Sequence, residues 1–283
     1  MTKVIACIDG SASAPAVCDY AAWASLRLDA PLTFLHVLDK RQYPVKTDLS
    51  GNIGLGSREQ LLNELASLDE QRAKLALEQG RVMLTAAKDR ARAAGVDDPE
   101  SGQRHGDLME NLRGLENDMR VLVMGRQGES SGAESQHVGS QLENVIRVMH
   151  RPILVTPASF RKPESVLLAF DASPSTRKGV EMLASSPLLK GLPIHLVMVG
   201  SASDELKEQL GWAQKKLLNA GFTVYAEIRS GEVEAVLHAY QQEHGIDLLV
   251  MGAYGHSRIR QFLIGSITMN MLRSTTSPLL LLR

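Results

Sequence analysis

The sequence predicts an α/β protein built from two doubly wound parallel sheets, and three observations point to this class. Near-continuous apolar runs alternate with amphipathic segments along the 283 residues, which is typical of parallel strands that helices bury on both faces. This alternation occurs twice in the chain. In each half, a glycine-bearing loop directly follows one of the apolar runs.

An internal repeat underlies the two-domain prediction. Residues 4–9 and 166–171 are both apolar runs that end in an aspartate, and serines follow at the same spacing. The offset between the halves is 162 residues there and falls to about 126 at the later glycine loops. The first half therefore carries roughly 36 extra residues between its second and third strands. Such self-similarity indicates a duplication.

We expect the first domain to span residues 1–156 and the second to span 163–283, with a short linker that contains Pro157 and Pro163.

In the second half, Ser173 and Pro174 suit the N-cap and first turn of a helix. The strands of the second half are predicted near residues 166–170, 194–200, 223–228, 247–251 and 279–282.

The insertion in the first half lies at about residues 39–94 and has two parts. Residues 39–57 resemble a loop, whereas residues 58–94 are rich in strong helix formers. Apolar residues of this helix recur at helical spacing, namely Leu61, Leu65, Leu68, Leu75 and Val82. Two interpretations stay open: a domain helix made longer, or an arm over a site or a partner surface.

The second glycine loop has the order expected of a phosphate-binding segment. An apolar strand at residues 248–251 is followed by Gly252 and Gly255, then by nine residues, and then by Gly265 and Ser266 at the start of a helix. Glycines permit close backbone approach, and the N–H groups of a helix start attract anions. The first half repeats the arrangement with ten intervening residues, at Gly125, Gly128, Gly139 and Ser140.

These residues resemble the diagnostic pattern of the universal stress protein family in its tandem form, and the resemblance covers nearly the whole chain. The family pattern is Gly, two residues, Gly, nine residues, Gly, then Ser or Thr, after the fourth strand of the domain. The resemblance implies an adenine nucleotide alpha-hydrolase-like fold with strand order 3-2-1-4-5. It also implies ATP binding at the switch point between strands 1 and 4, where ligands of such sheets bind.

In the second half, the resemblance implies that Asp171 faces the ribose or the phosphates, directly or through a metal ion such as Mg²⁺. Val199 would meet adenine through its backbone. A helix-capping role for Asp171 remains the alternative. The residues that would hold the ribose and phosphates are Gly252, Gly255, Gly265 and Ser266.

The first half matches the family pattern at Asp9, Val37, Gly125, Gly128, Gly139 and Ser140. Its loop is one residue longer and contains Glu129 and Glu134, which would repel phosphates, whereas the second loop contains Arg258 and Arg260. We therefore expect the first site to bind the nucleotide more weakly than the second.

The net charge and the motifs that the sequence lacks argue against several other classes of protein. The net charge of −1 and the lack of a basic run argue against nucleic-acid and membrane-surface partners. There is no Walker A run, no dinucleotide-binding glycine motif after the first strand and no serine nucleophile elbow. Cys7 and Cys18 are interpreted as small core residues. With no signal-peptide pattern, a cytoplasmic protein is expected.

The leading hypothesis for function is an ATP-binding stress protein that acts as a nucleotide-dependent sensor or regulator. An enzyme, at most a weak ATPase, and a nucleotide-free assembly module are the alternatives. No catalytic residue is assigned. The final strands of the two halves, near residues 152–156 and 279–282, are expected at sheet edges, so we predict that they pair and form an internal pseudo-dimer. A homodimer of whole chains is left open.

Overall fold

The computed structural model describes residues 2–38, 55–128, 140–253 and 266–283. Five strands and four α-helices of the first half follow in the order β1 (Lys3–Cys7), α1 (Ala14–Leu28), β2 (Leu32–Leu38), α2 (Leu55–Ala93), β3 (Glu100–His105), α3 (Leu108–Leu115), β4 (Met119–Gly125), α4 (Ser140–Val148) and β5 (Ile153–Thr156). A short 3-10 helix at Glu116–Asp118 precedes β4.

The second half repeats this order without the long insertion. Its elements are β6 (Val166–Ala169), α5 (Pro174–Ser185), β7 (Ile194–Val199), α6 (Asp204–Asn219), β8 (Val224–Arg229), α7 (Val233–His244), β9 (Leu248–Gly252), α8 (Ser266–Ser274) and β10 (Leu279–Leu282). The five strands predicted for this half are confirmed to within one or two residues at their ends.

All ten strands join one sheet in the order β3-β2-β1-β4-β5-β10-β9-β6-β7-β8. Each half contributes five parallel strands in the order 3-2-1-4-5, counted within the half, so the predicted fold class is confirmed. The halves meet where β5 and β10 pair antiparallel, with Leu154 opposite Leu280. The prediction that the two final strands pair is therefore confirmed.

Apolar side chains on both faces of the sheet explain why its inner strands are near-continuous apolar runs, whereas the edge strands β3 and β8 carry polar residues. One buried cluster holds Val4, Phe34 and Leu168 against helices that include α1 and α5. The other holds Ile5, Leu122 and Leu249 on the opposite face. Because alternate residues of a strand point to opposite faces, a strand covered on both sides needs apolar residues at every position.

Two arginines tie the halves together beside the β5–β10 ladder. Arg126, just after β4, donates a hydrogen bond to the carbonyl of Thr275, just after α8. Arg283, just after β10, donates from Nε to the carbonyl of Met149 at 2.6 Å, just after α4. Both arginines thus bind a carbonyl near the C-terminal end of a helix in the other half, where the helix dipole favours a positive charge.

Helix α2 begins at Leu55, three residues before the predicted start, while residues 39–54 of the predicted loop lie outside the described residues. It packs on the first half through Ala76, Leu84, Ala87 and Ala91, and these side chains are buried. The apolar residues singled out from the sequence point elsewhere: Leu68 is 49% exposed, Leu75 64% and Val82 55%. Three alanines and Leu84, rather than the predicted apolar series, make the contact with the domain.

Among the described helices, none combines the length and the apolar character that crossing a membrane requires.

The single sheet predicts that both halves unfold together. The chain has two tryptophans, Trp23 in α1 and Trp212 in α6, so each half carries its own fluorescent reporter. In urea, Trp23→Phe and Trp212→Phe variants should report coincident transitions. Leu280→Ala should lower the free energy of unfolding by about 2–5 kcal/mol for both reporters.

Leu218 provides the matched control, because its side chain is 48% exposed on α6. Leu218→Ala should leave both transitions within about 0.5 kcal/mol of the wild type. Separate transitions for the two reporters, or a shift of only the Trp212 signal in Leu280→Ala, would contradict a shared folding unit.

Candidate functional site

Three strands of the second half end beside one another and open into a single cavity. Asp171 follows β6 by two residues, Val199 is the last residue of β7, and Gly252 is the last residue of β9. All three line a cavity of about 590 Å³. The cavity lies at the carboxyl ends of the strands, where β6 separates β7 from β9 in the sheet, which is the switch point at which α/β sheets bind ligands.

The walls of this cavity are mainly apolar, with a few polar groups. The apolar lining includes Phe170, Met198, Leu206, Leu237, Met251 and Ile267. The polar side chains are Asp171, Thr176, Glu205, Gln209 and Thr268. An apolar pocket with few polar side chains is the usual composition of a small-molecule site. Among these polar side chains, the sequence predicted only Asp171, because the helix residues that complete the lining have no distinctive spacing.

Asp171 is held in place by the start of the helix that follows it. Its Oδ1 atom accepts hydrogen bonds from the backbone N–H of Ser173 at 3.0 Å and from Thr176 Oγ1 at 2.7 Å. Ser173 caps α5 as predicted, since its side chain accepts from the N–H of Thr176. Between them, Ala172 has a φ of +55°, which is rare for a residue with a side chain. Asp171 therefore orders this turn and also lines the cavity.

Two polar residues at the start of α6 form part of the cavity wall. Glu205 and Gln209 are one helical turn apart, and Gln209 Nε2 donates a hydrogen bond to Glu205 Oε1 at 3.2 Å. The carboxylate places negative charge on this wall, and its second oxygen can accept from a hydroxyl or amino group. A helix start would otherwise favour anions, so the pair makes this side of the cavity better suited to the uncharged part of a ligand.

The first half brings Asp9, Gly125 and Gly128 together at the corresponding strand ends. The backbone N–H of Ser11 donates to Asp9 Oδ1 at 3.1 Å, as its counterpart does in the second half. A methyl group on Gly125 would lie 2.9 Å from Ser13 Oγ, and one on Gly128 would lie 3.3 Å from Asp9 Oδ2. Both glycines thus allow the loop to approach the end of β1 closely.

Helix α2 approaches the first half differently from the way α6 approaches the second. Val37, the predicted adenine-binding residue, is half-buried near the end of β2. Beside this strand, α2 comes so near at Gly80 that a methyl group there would lie 2.3 Å from Gln103 Nε2 and 2.8 Å from the ring of His36. The repeat aligns Gly80 with Leu206, which lines the cavity of the second half.

Part of each predicted phosphate loop lies outside the described residues, as do the side chains of Ser140 and Ser266, although these two residues begin α4 and α8. The other site residues outside the description are Gly139, Gly255 and Gly265. The same applies to the charged residues that were predicted to distinguish the loops, namely Glu129, Glu134, Arg258 and Arg260.

Histidines outside the cavity form an aromatic cluster of their own. His195 Nδ1 lies 3.0 Å from the hydroxyl of Tyr240, and its ring centroid is 5.1 Å from that of His244. Burial, and secondarily the neighbouring His244, lower the pKa of His195. Within the described ranges, no three His, Cys, Asp or Glu residues are grouped so as to hold a metal ion.

Comparisons with known proteins agree with this architecture. The model of the universal stress protein family matches residues 1–157 and again residues 163–283. The universal stress protein Slr1230 of Synechocystis is 39% identical over 287 aligned residues, which cover 100% of both chains. A crystal structure of a universal stress protein from Archaeoglobus fulgidus DSM 4304 has a TM-score of 0.66 at 16% identity, over 98% of this chain and 95% of that one.

A universal stress protein solved in complex with cAMP matches 43% of this chain and 97% of its own length, with 22% identity and a TM-score of 0.37. The strand order and the likeness to the Archaeoglobus structure define an α/β protein of the adenine nucleotide alpha-hydrolase-like class. Since the family model and the Synechocystis relative both cover essentially the whole sequence, the chain belongs to the universal stress protein family.

The two cysteines are predicted to be inert in the folded protein. Burial, together with the nearby Asp9 carboxylate, raises the pKa of the Cys7 thiol to about 12. Burial, and secondarily Asp19, raise the pKa of Cys18 to about 12 as well. At pH 8 almost no reactive thiolate exists in either. A colorimetric thiol reagent should therefore label neither cysteine until denaturant is added.

The single variants Cys7→Ala and Cys18→Ala assign any signal to one thiol. After denaturation, both variants should release half of the wild-type signal. Rapid labelling of the native wild type that disappears in Cys7→Ala would contradict a protected thiol beside Asp9.

Proposed function

We propose that the second half binds ATP and that the chain acts in the cytoplasm as a nucleotide-dependent sensor or regulator. We also propose that residues 1–156 and 163–283 form its two domains. The observation that carries this proposal is the shared cavity of Asp171, Val199 and Gly252. These residues were selected from the glycine motif and the family resemblance, and they come from strands far apart in sequence. The volume of about 590 Å³ is within the range of small-molecule pockets.

In the proposed complex, the base occupies the apolar part of the cavity beside β7. The backbone of Val199 reads the adenine edge there, as predicted from the family resemblance. Asp171, whose carboxylate is already oriented by Thr176 and Ser173, accepts from ribose hydroxyls or holds a magnesium ion. The phosphates extend toward the segment after Gly252 and toward the N-terminus of α8, which begins at Ser266.

The first half is proposed to be the weaker site. The observation that supports this ranking is the close approach of α2 at Gly80, where the second half has Leu206 beside an open cavity. Its Asp9 nevertheless accepts a hydrogen bond from the N–H of Ser11, as Asp171 does from Ser173, and its Gly125 and Gly128 lie close to Ser13 and Asp9. The proposed order of affinity therefore reflects space at the base rather than loss of the glycine loop.

Two alternatives are separated from this proposal by simple measurements. A nucleotide-free assembly module would bind no nucleotide at all. A true ATPase would release phosphate continuously, and it would need a positioned nucleophile and a cluster of positive charge around the transferred phosphate. The polar side chains that line the described cavity are two threonines, one amide and two carboxylates, and they include no lysine or arginine that could supply this positive charge.

Binding by the second half is tested by calorimetry and thermal denaturation with ATP, ADP, AMP, cAMP and GTP. ATP at 100 times its dissociation constant should stabilise the folded state by about 2.7 kcal/mol. Asp171→Asn keeps the shape of the side chain but removes the charge. It should weaken the tighter binding event by about tenfold or more, corresponding to the loss of about 1.4 kcal/mol.

Asp9→Asn is the matched control, because it makes the same change in the first half. It should leave the tighter event unchanged and weaken only the second, looser event. If Asp9→Asn removes the tighter event instead, the ranking of the sites is wrong. If no nucleotide binds the wild type, the proposal of ATP binding fails.

Hydrolysis is predicted to be slow or absent. Single-turnover experiments with radiolabelled ATP should give a rate far below the typical enzyme value of about 10 s⁻¹. Steady turnover at or above that value, lost in Asp171→Asn but retained in Asp9→Asn, would identify the protein as an ATPase.

A further inference from the structure

The two helices that are proposed to bind phosphate end at equivalent positions of the repeat. Helix α4 begins at Ser140 and α8 begins at Ser266, 126 residues later. The backbone N–H groups of Met149 and Thr275 each donate to the carbonyl four residues earlier at 2.9 Å, so these two residues close the last turns of α4 and α8. They are also 126 residues apart. Their carbonyls therefore lie at the negative ends of equivalent helices.

An arginine of the opposite half binds each of these carbonyls. Arg126 of the first half donates to Thr275, and Arg283 of the second half donates to Met149. The repeat does not explain this symmetry, because the counterparts of the two arginines are uncharged. These counterparts are Ala253 and Pro157. Two unrelated positions of the chain thus supply the same contact in opposite directions.

Arg126 belongs to the glycine loop of the first half. It directly follows Gly125, and its backbone N–H donates to the carbonyl of Thr156 at 3.0 Å. The carbonyl of the next residue, Gln127, accepts a hydrogen bond from Ser13 Oγ at 3.2 Å. The backbone of Arg126 is therefore held by the loop that is proposed to carry the phosphates of the first half.

Arg283 is connected to the glycine loop of the second half in a similar way. It follows Leu282, which pairs with Gly252 in the ladder between β9 and β10. The carbonyl of Leu282 also accepts a hydrogen bond from the N–H of Ala253 at 3.0 Å. Each half therefore joins the start of its own glycine loop to the C-terminal end of the phosphate-binding helix in the other half.

A phosphate at the start of a helix and a guanidinium at its end act on the same dipole. The anion lies at the positive end and the cation at the negative end, so both stabilise the same charge separation. Hydrogen bonds in a chain also polarise one another, which favours the two ions together. Arg126 is half-buried, and burial lowers the pKa of its guanidinium. Salt screens such a charge less than it screens a charge on the open surface.

We propose that the two nucleotide sites are coupled through Arg126 and Arg283, so that a nucleotide in one half raises the affinity of the other half. This inference rests on the proposed function, since it requires both halves to bind a nucleotide. A phosphate at the start of α8 strengthens the bond between Thr275 and Arg126, which stabilises the first glycine loop. By linkage, a nucleotide in the first half raises the affinity of the second by the same factor. Helix α4 and Arg283 make the same connection in the opposite direction.

Titration calorimetry with ATP tests the coupling when the second half is kept empty. Leu206→Trp fills the cavity of the second half, so that only the first half binds. Its affinity should be about fivefold or more below that of the looser event in the wild type, because no phosphate then lies at the start of α8. When Arg126→Met and Arg283→Met are also present, this difference should disappear.

Arg126→Met alone tests the contact from outside the second half. It should weaken the tighter binding event about two- to fivefold, which is the usual effect of a charge at a helix end. Arg126→Lys keeps the charge and should retain most of the affinity. Arg27→Met is the matched control, because Arg27 Nε also donates across the halves, to the carbonyl of Leu188 at 2.9 Å, but does not contact α8. It should leave both binding events unchanged.

The outcomes separate the coupling from nucleotide binding itself. Equal affinities of the first half in the wild type and in Leu206→Trp would overturn the coupling while ATP binding stands. Equal losses in Arg126→Met and Arg27→Met would overturn it as well, and so would a wild type that binds only one nucleotide per chain. A wild type that binds no nucleotide would refute the proposed function and the coupling with it.

Discussion

The antiparallel ladder between β5 and β10 determines how the rest of the molecule is arranged. Each half is a five-stranded parallel sheet whose last strand would otherwise present unpaired backbone groups. Pairing Leu154 opposite Leu280 removes both edges at once and aligns the two sheets as one. Arg126 and Arg283 then bind the carbonyls of Thr275 and Met149 across the same boundary. This ladder therefore also determines the direction in which the carboxyl ends of the strands point in each half.

The inner strands and the core could be predicted from the sequence because a strand that is buried on both faces needs apolar residues at nearly every position. Runs such as Leu248–Gly252 are apolar at nearly every position, and glycine at the end identifies where the strand meets the loop. Asp171 and Ser173 were identifiable for a related reason, since a capping serine beside a proline has a distinctive pattern. These features depend on local chemistry, which one sequence records directly.

The sequence did not predict which face of α2 packs against the domain, nor most of the residues that line the cavity. Leu68 and Leu75 have the spacing of a buried helix face, yet Ala76 and Ala87 make the contact with the domain. Helix α2 must approach the sheet closely at Gly80, and only small residues permit that distance. Likewise, Glu205 and Gln209 line the cavity because of where α6 lies, and nothing in their spacing indicates it.

Because the two halves belong to one chain, the sequence of each half can change independently of the other. Only nine residues, 157–165, separate β5 from β6, so the tethered halves face each other at a high effective concentration that does not change on dilution. A symmetric dimer of identical subunits must carry every substitution twice. In this chain, one half has Gly80 where the other has Leu206. The β5–β10 ladder holds the two halves together while the residues of their two sites change separately.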